Sequence, residues 1–163
     1  MKYLLVAILF ACVLLCLSGC RLNDIELSEM DAYLDGVAGK IGDLQITDDD
    51  DMTGQRNLGD DAYCGSYLAD CNNQTGRDVI FGGASTHERV LYCHGSIQTE
   101  AGTAQIRIRL NDEVIILQTD ETGNYETELY LKSGGNYIMI DYSDFSGSVE
   151  MICEYSEESN LTT

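Results

Sequence analysis

The groups in this chain that could do chemistry are few in kind: two histidines, seven cysteines and 28 carboxylates. His94 directly follows Cys93, but a catalytic Cys–His pair is made by contact in space, not by adjacency. No Gly-x-Ser-x-Gly nucleophile elbow occurs. Neither a phosphate-binding P-loop nor a dinucleotide fingerprint is present. Gly82-Gly83-Ala84-Ser85 is glycine-rich, but no basic residue stands ready for phosphate, so it reads as a loop between strands. A glycosidase holds two carboxylates across a cleft at a set separation, and nothing in the spacing of the acidic residues marks such a pair. The expectation is a non-enzymatic protein with no catalytic residue and no cofactor.

Two binding chemistries are worth weighing. Asp48-Asp49-Asp50-Asp51 offers the hard oxygen ligands that calcium takes. An EF-hand loop would continue with Asp or Asn, then Gly, and close on Glu; here Met52 and Thr53 follow and no Glu closes the loop. The run reads as a solvated spacer of like charges, and no metal is expected. Sugars stack on exposed aromatic rings with polar groups at the ring edges. Trp is absent, and of ten Tyr only Tyr3 lies in the first 19 residues. Tyr63, Tyr67, Tyr125, Tyr130, Tyr137 and Tyr142 are the candidates for a sugar platform. The competing reading is that these strand-favouring residues pack in cross-strand pairs.

These groups belong to a chain that opens with an export signal. Lys2 supplies a positive start, residues 4–17 form a nearly unbroken apolar run, and Ser18 and Gly19 lead into Cys20. The run is short for a bilayer span. Leu17-Ser18-Gly19-Cys20 resembles the lipobox of bacterial lipoproteins. The resemblance implies cleavage before Cys20, a diacylglyceryl group on its thiol, and acylation of the new amino terminus. Cys12 and Cys16 would leave with the signal peptide, residues 1–19. The resemblance places the protein on the outer face of the cytoplasmic membrane, or on an outer membrane where the cell has one. Its membrane contact is then the lipid on Cys20.

Removal of 19 residues leaves 163 − 19 = 144, enough for one domain and a tether. The mature balance of charged side chains is 8 − 28 = −20, since only Lys2 is lost from the nine Lys and Arg. Such a body repels nucleic acid and anionic headgroups. No nucleic-acid partner is expected, and the domain should stand off the membrane on its lipid. Four cysteines follow Cys20: Cys64, Cys71, Cys93 and Cys153. An even count in an exported chain predicts two disulfides, with all three pairings open. No CxxC spacing suggests zinc.

Along the mature chain, residues 20–61 read as a lipidated tether. Within it, Met30, Tyr33, Leu34, Val37, Ala38 and Ile41 recur at helical spacing behind Ser28, which predicts a short amphipathic helix over 28–41. Residues 43–61 read as an acidic linker. From Ala62 the pattern alternates with period two. Eight strands are expected, at 62–71, 77–83, 88–99, 104–110, 113–119, 124–131, 136–142 and 147–155. Turn signals stand at Asn72-Asn73, Thr75-Gly76, Gly82-Gly83, Thr122-Gly123-Asn124, Ser133-Gly134-Gly135-Asn136 and Ser146-Gly147. Strands at near-regular spacing without helices predict an all-β, antiparallel β-sandwich, jelly-roll-like, over residues 62–157. Residues 158–163 are left as a tail. The stretch from Gly65 through Tyr67 and Thr75-Gly76 to Val79 is echoed by Gly135 through Tyr137 and Ser146-Gly147 to Val149, and the two read as similar hairpins.

Tyr67 through Ser85, and Gly134-Gly135-Asn136-Tyr137-Ile138 followed by Phe145-Ser146-Gly147, resemble small lipoproteins of gut-type anaerobic Gram-positive bacteria. These share a lipobox, a polar spacer and a β-sandwich. The resemblance rests on structural turns and carries no activity to transfer. The functional expectation is therefore a membrane-anchored binding or protein-interaction module, with a protein partner, or alternatively a glycan held by exposed tyrosines.

Overall fold

The computed structural model describes residues 45–156. The expected signal peptide, Cys20, the helix expected over 28–41 and the tail from 158 lie outside the described residues. The fold is all-β and antiparallel. Its strands are β1 (Gln55–Leu58), β2 (Gly65–Ser85), β3 (Arg89–Leu110), β4 (Glu113–Leu117), β5 (Asn124–Leu131) and β6 (Gly134–Tyr155). All eight expected strands are present, but six of them are halves of the three long strands β2, β3 and β6. Asn72-Asn73, Thr75-Gly76 and Ser146-Gly147 mark bends within a strand rather than turns between strands. The hydrogen-bonded ladder runs on past them, broken only by local register shifts. The two echoed stretches are accordingly not hairpins. They are β2 and β6, each bent once, lying side by side.

The bend has a backbone cause. Each long strand takes positive φ there: Asn73 (φ 55°) and Gly76 (φ 143°) in β2, Gly102 (φ 67°) in β3, and Asp144 (φ 47°) and Gly147 (φ 142°) in β6. Asn and Asp tolerate that conformation better than other side-chain-bearing residues. At Gly102 nothing larger fits, because a Cβ would sit 2.1 Å from the Asp144 carbonyl oxygen. Across the same line Thr75 Oγ1 accepts from the Asp144 amide at 2.9 Å, and the Asn73 amide donates to Ser146 Oγ at 2.9 Å. These shifts let the ladder turn a corner without ending.

Beyond the corner the sheet faces itself. Tyr67 and Asp78 are eleven residues apart on β2, about 36 Å if the strand ran straight. Instead the Tyr67 hydroxyl donates to Asp78 Oδ2 at 2.5 Å and lies 2.8 Å from the Tyr142 hydroxyl. The result is a sandwich of two layers. In the first, β1, residues 65–71 of β2, 147–155 of β6, 89–99 of β3, and β5 lie in that order. In the second the order is residues 76–85 of β2, 134–142 of β6, 103–110 of β3, and β4. Leu91, Phe81, Ile80, Ile106, Ile140, Phe145, Val149 and Met151, all buried, fill the space between. Gly82-Gly83-Ala84-Ser85, expected as a loop, is the end of β2 and pairs with residues 134–137 of β6.

Residues 45–61 also depart from the linker reading. The Thr47 amide donates to the Val79 carbonyl at 3.1 Å, and the Val79 amide donates to Thr47 Oγ1 at 2.8 Å. Thr53 and Gly54 amides donate to the buried Asp78 carboxylate. Arg56 donates to the Ile80 carbonyl at 2.9 Å and pairs with Asp49 at 2.6 Å. This segment therefore covers the outer edge of the second half of β2, and β1 adds a strand to the first half. The sandwich begins by Thr47 rather than at residue 62.

Candidate functional site

Strand alternation divides the first layer into a buried and an outer face. Leu91, Cys93 and Ile97 of β3 point inward, as do Tyr125, Leu129 and Leu131 of β5 and Val149, Met151 and Cys153 of β6. Their neighbours must point out. Register then fixes the rows of the outer face. Glu128, Tyr92 and Glu154 stand side by side on β5, β3 and β6, followed by Glu126, His94 and Ile152 in the next row. Glu150 pairs with Ser96 on one side and Leu68 of β2 on the other, and Asp70 lies opposite Ser148. No Lys or Arg occupies these strand positions.

The face is ordered by a few contacts. Tyr92 donates to Glu126 Oε2 at 2.9 Å, and that bond holds its phenol above the ordinary value. Its ring lies 5.3 Å from the His94 ring at 34°. Tyr130 is 65% exposed and Leu68 59%. A shallow depression of about 400 Å³ is lined by Tyr92, His94, Glu126, Glu150 and Ile152. Beneath it, the Tyr125 hydroxyl crosses under β3 to the Glu150 carbonyl at 2.9 Å. Gly95 makes this crossing possible: a Cβ there would lie 2.7 Å from the Tyr125 hydroxyl and 2.0 Å from the Glu150 oxygen.

The outer face of the second layer differs. Asp141 there pairs with both Arg77 and Arg107. Burial pushes its carboxyl up, but the two arginines outweigh that and hold it below the usual range. Arg109 lies 4.4 Å over the Tyr137 ring and donates to Gln45. On this face each of the three arginines has a partner, two on Asp141 and one on the Tyr137 ring and Gln45.

A wider groove, about 840 Å³, opens beside β1 and the start of β3, where Cys64, His87 and Tyr155 are among the lining residues. Its polar cluster is structural. Arg89 donates to Asp61 at 2.7 Å and to the Tyr155 hydroxyl at 2.8 Å, and Tyr155 donates to Asp61 at 2.6 Å. Burial raises the Asp61 carboxyl, but the bonds from Tyr155 and the Tyr63 amide, with the Arg89 charge, bring it below its ordinary value. The Cys64 thiol turns to Asp61 Oδ1 at 3.6 Å.

The expected sugar platform is not assembled. Tyr63, Tyr67, Tyr125, Tyr137 and Tyr142 are all buried, and of the six candidates only Tyr130 is exposed. Burial pushes the Tyr63 phenol up to about 12 and raises Tyr125 and Tyr142 as well. The cysteine expectation is half met. Cys93 and Cys153, directly opposite on β3 and β6, form one disulfide with Cα atoms 4.3 Å apart. Cys64 and Cys71 are free buried thiols, so the second bridge is absent from the described residues. Around Asp48–Asp51, Asp49 is paired with Arg56. Among the described residues, no three His, Cys, Asp or Glu side chains gather as a metal site requires.

Sequence reasoning passed over Tyr92, Glu128, Glu150 and Glu154. The signal was present in Tyr125-Glu126-Thr127-Glu128-Leu129-Tyr130-Leu131, where alternation puts Leu129 and Leu131 inside and Tyr130 outside. The identity of the neighbouring strands was not legible, and without it the carboxylates could not be assembled into one face. No protein-family model matches the chain, and no curated protein matches it at a meaningful level.

Proposed function

We propose that this chain is an exported lipoprotein, anchored through Cys20, that acts without catalysis as a protein-interaction module. The outer face of its first layer is the contact surface, and the partner presents Lys or Arg. One observation carries the choice of face: Tyr92 lies in register between Glu128 and Glu154. A cationic head group laid on that ring gains the attraction of the aromatic face and a carboxylate on either side. The open sheet face is broad and ends in exposed Tyr130 and Leu68, which suits a protein surface better than an enclosed small molecule. The short apolar run over residues 4–17, followed by Ser18-Gly19-Cys20, supports the anchor.

The test uses tagged, lipidated full-length protein in detergent extract, with Glu128→Lys/Glu154→Lys as the comparison. One stoichiometric protein should be captured by the wild type and lost from the variant. Equal recovery of the same protein by both would overturn the choice of face. Cys20→Ser should move the protein from the membrane fraction to the soluble exported fraction; unchanged membrane association refutes the anchor.

A further inference from the structure

The sheet edges of this sandwich are treated unequally. The second half of β2 is covered at Val79, Ile80 and Gly82: Val79 exchanges bonds with Thr47, the Ile80 carbonyl accepts from Arg56, and the Gly82 amide donates to the Ala62 carbonyl. β1 is four residues long and β4 five. β5 is eight residues long and, among the described residues, pairs with β3 alone. Its register with β3 is unbroken from Leu131 to Asn124. It contains no Pro and no bulge, and of the devices that usually blunt an edge it carries only charge, on Glu126 and Glu128. Every second residue of such a strand turns its backbone N–H and C=O outward; at Asn124 both groups are taken by Asp120, which leaves Glu126, Glu128 and Tyr130 as the open edge.

The side chains on this edge select what can pair with it. In a sheet extended past β5, the outer face of the new strand lies beside Glu126, Glu128 and Tyr130. A second copy of β5 would bring like carboxylates onto one face, which cross-strand pairing disfavours. A strand with Lys or Arg at alternate positions would instead be attracted there. Its intervening residues would fall beside Thr127, Leu129 and Leu131, at the margin of the core.

We infer that β5 is a pairing edge that takes an extended segment of a partner protein with cationic residues at every second position. The inference rests on the proposed interaction role and names its mode. Backbone bonds supply the pairing, and Glu126 and Glu128 choose the sequence. The same carboxylates keep the edge from joining copies of this chain.

The experiment uses the full mature protein and a synthetic peptide of about ten residues in which lysine alternates with valine, about the length of a common strand. Its control carries N-methyl groups on alternate backbone nitrogens of the edge that would face β5. This removes donors and leaves the charges unchanged. Binding is read by fluorescence anisotropy, and the site by amide hydrogen exchange. The unmethylated peptide should bind at least about tenfold more tightly and slow exchange within residues 124–131. Glu126→Lys/Glu128→Lys should abolish its binding. Equal binding of both peptides, or protection elsewhere, overturns edge pairing. In that outcome the face reading survives if Glu128→Lys/Glu154→Lys still loses the captured partner. Absence of binding by either peptide also overturns the inference.

Discussion

Replacing Tyr67 by Phe tests the reasoning about the corner, because one hydroxyl links the two layers. Tyr67 is 1% exposed, and its hydroxyl donates to Asp78 Oδ2 while meeting the Tyr142 hydroxyl. The substitution keeps the ring and its packing. It removes a hydrogen bond to a carboxylate, worth about 1.5–3 kcal/mol, and leaves the Tyr142 hydroxyl short of a partner. Asp78 keeps the Thr53 and Gly54 amides, so the loss should not reach the cost of an isolated buried charge. The expected destabilisation is about 2–3 kcal/mol. A domain of about 110 residues has an unfolding entropy near 0.23 kcal/mol/K, so Tm should fall by about 9–13 °C. Tyr142→Phe removes only a hydroxyl–hydroxyl bond and should cost about 0.5–1.5 kcal/mol. The two losses should be less than additive, since they share one contact. Thermal and urea unfolding of both single variants and the double variant provide the measurement. If Tyr142→Phe costs more than Tyr67→Phe, or Tyr67→Phe costs under about 0.5 kcal/mol, the bond to Asp78 is not what closes the corner.

Two other consequences can be checked with little material. Non-reducing peptide mass analysis after alkylation of the denatured protein should find Cys93 joined to Cys153 and both Cys64 and Cys71 alkylated; all four alkylated, or none, contradicts the structure. The Tyr63 phenol is raised from 10.0 to about 12 by burial. The folded state therefore holds its proton more tightly than the unfolded chain. That contribution is complete below pH 10 and is lost between about pH 10 and 12. Tyr125 and Tyr142, also raised by burial, lose stability from pH 10 upward as well, so urea unfolding followed by circular dichroism should show stability falling less steeply between about pH 10 and 12 in Tyr63→Phe than in the wild type; an equal slope refutes the burial argument for this residue.

Much of the sandwich was legible because alternation and turn chemistry are local. The pattern in Ile106, Ile108 and Leu110 set an inward face, and Asn111-Asp112 set a turn that β3 and β4 share. The same turn chemistry misled at Asn72-Asn73 and Ser146-Gly147. A residue that tolerates positive φ serves a strand corner as well as a hairpin, and only the neighbouring strand decides which. In residues 45–61 the sequence shows charge and no alternation. What holds them is the uncovered edge of β2 and the Asp78 carboxylate, both distant in sequence. Tyr67 and Tyr137 occupy matching places in the echoed stretches, yet one lies in the central cluster and the other under Arg109. The echo records bent strands, not equivalent surfaces. The single disulfide likewise needed the β3–β6 register, which brings Cys93 opposite Cys153 and leaves Cys71 opposite Gly147.

The two outer faces separate structural charge from charge that does no structural work. On the second layer Asp141 is shared by Arg77 and Arg107, and each partner reduces the cost of the others. On the first layer Glu128, Glu150 and Glu154 pair with no Lys or Arg of the described residues. By register none of them stands directly opposite another carboxylate: Glu128 and Glu154 flank Tyr92, and Glu150 lies between Ser96 and Leu68. Solubility does not require them there, since the chain holds 28 acidic residues against nine basic ones. Their arrangement around Tyr92, beside the one long uncovered edge strand among the described residues, makes the face complementary to a cationic surface. It is also repellent to a second copy of itself. Those two properties together are what the proposed anchored module needs to find a partner without aggregating on the membrane.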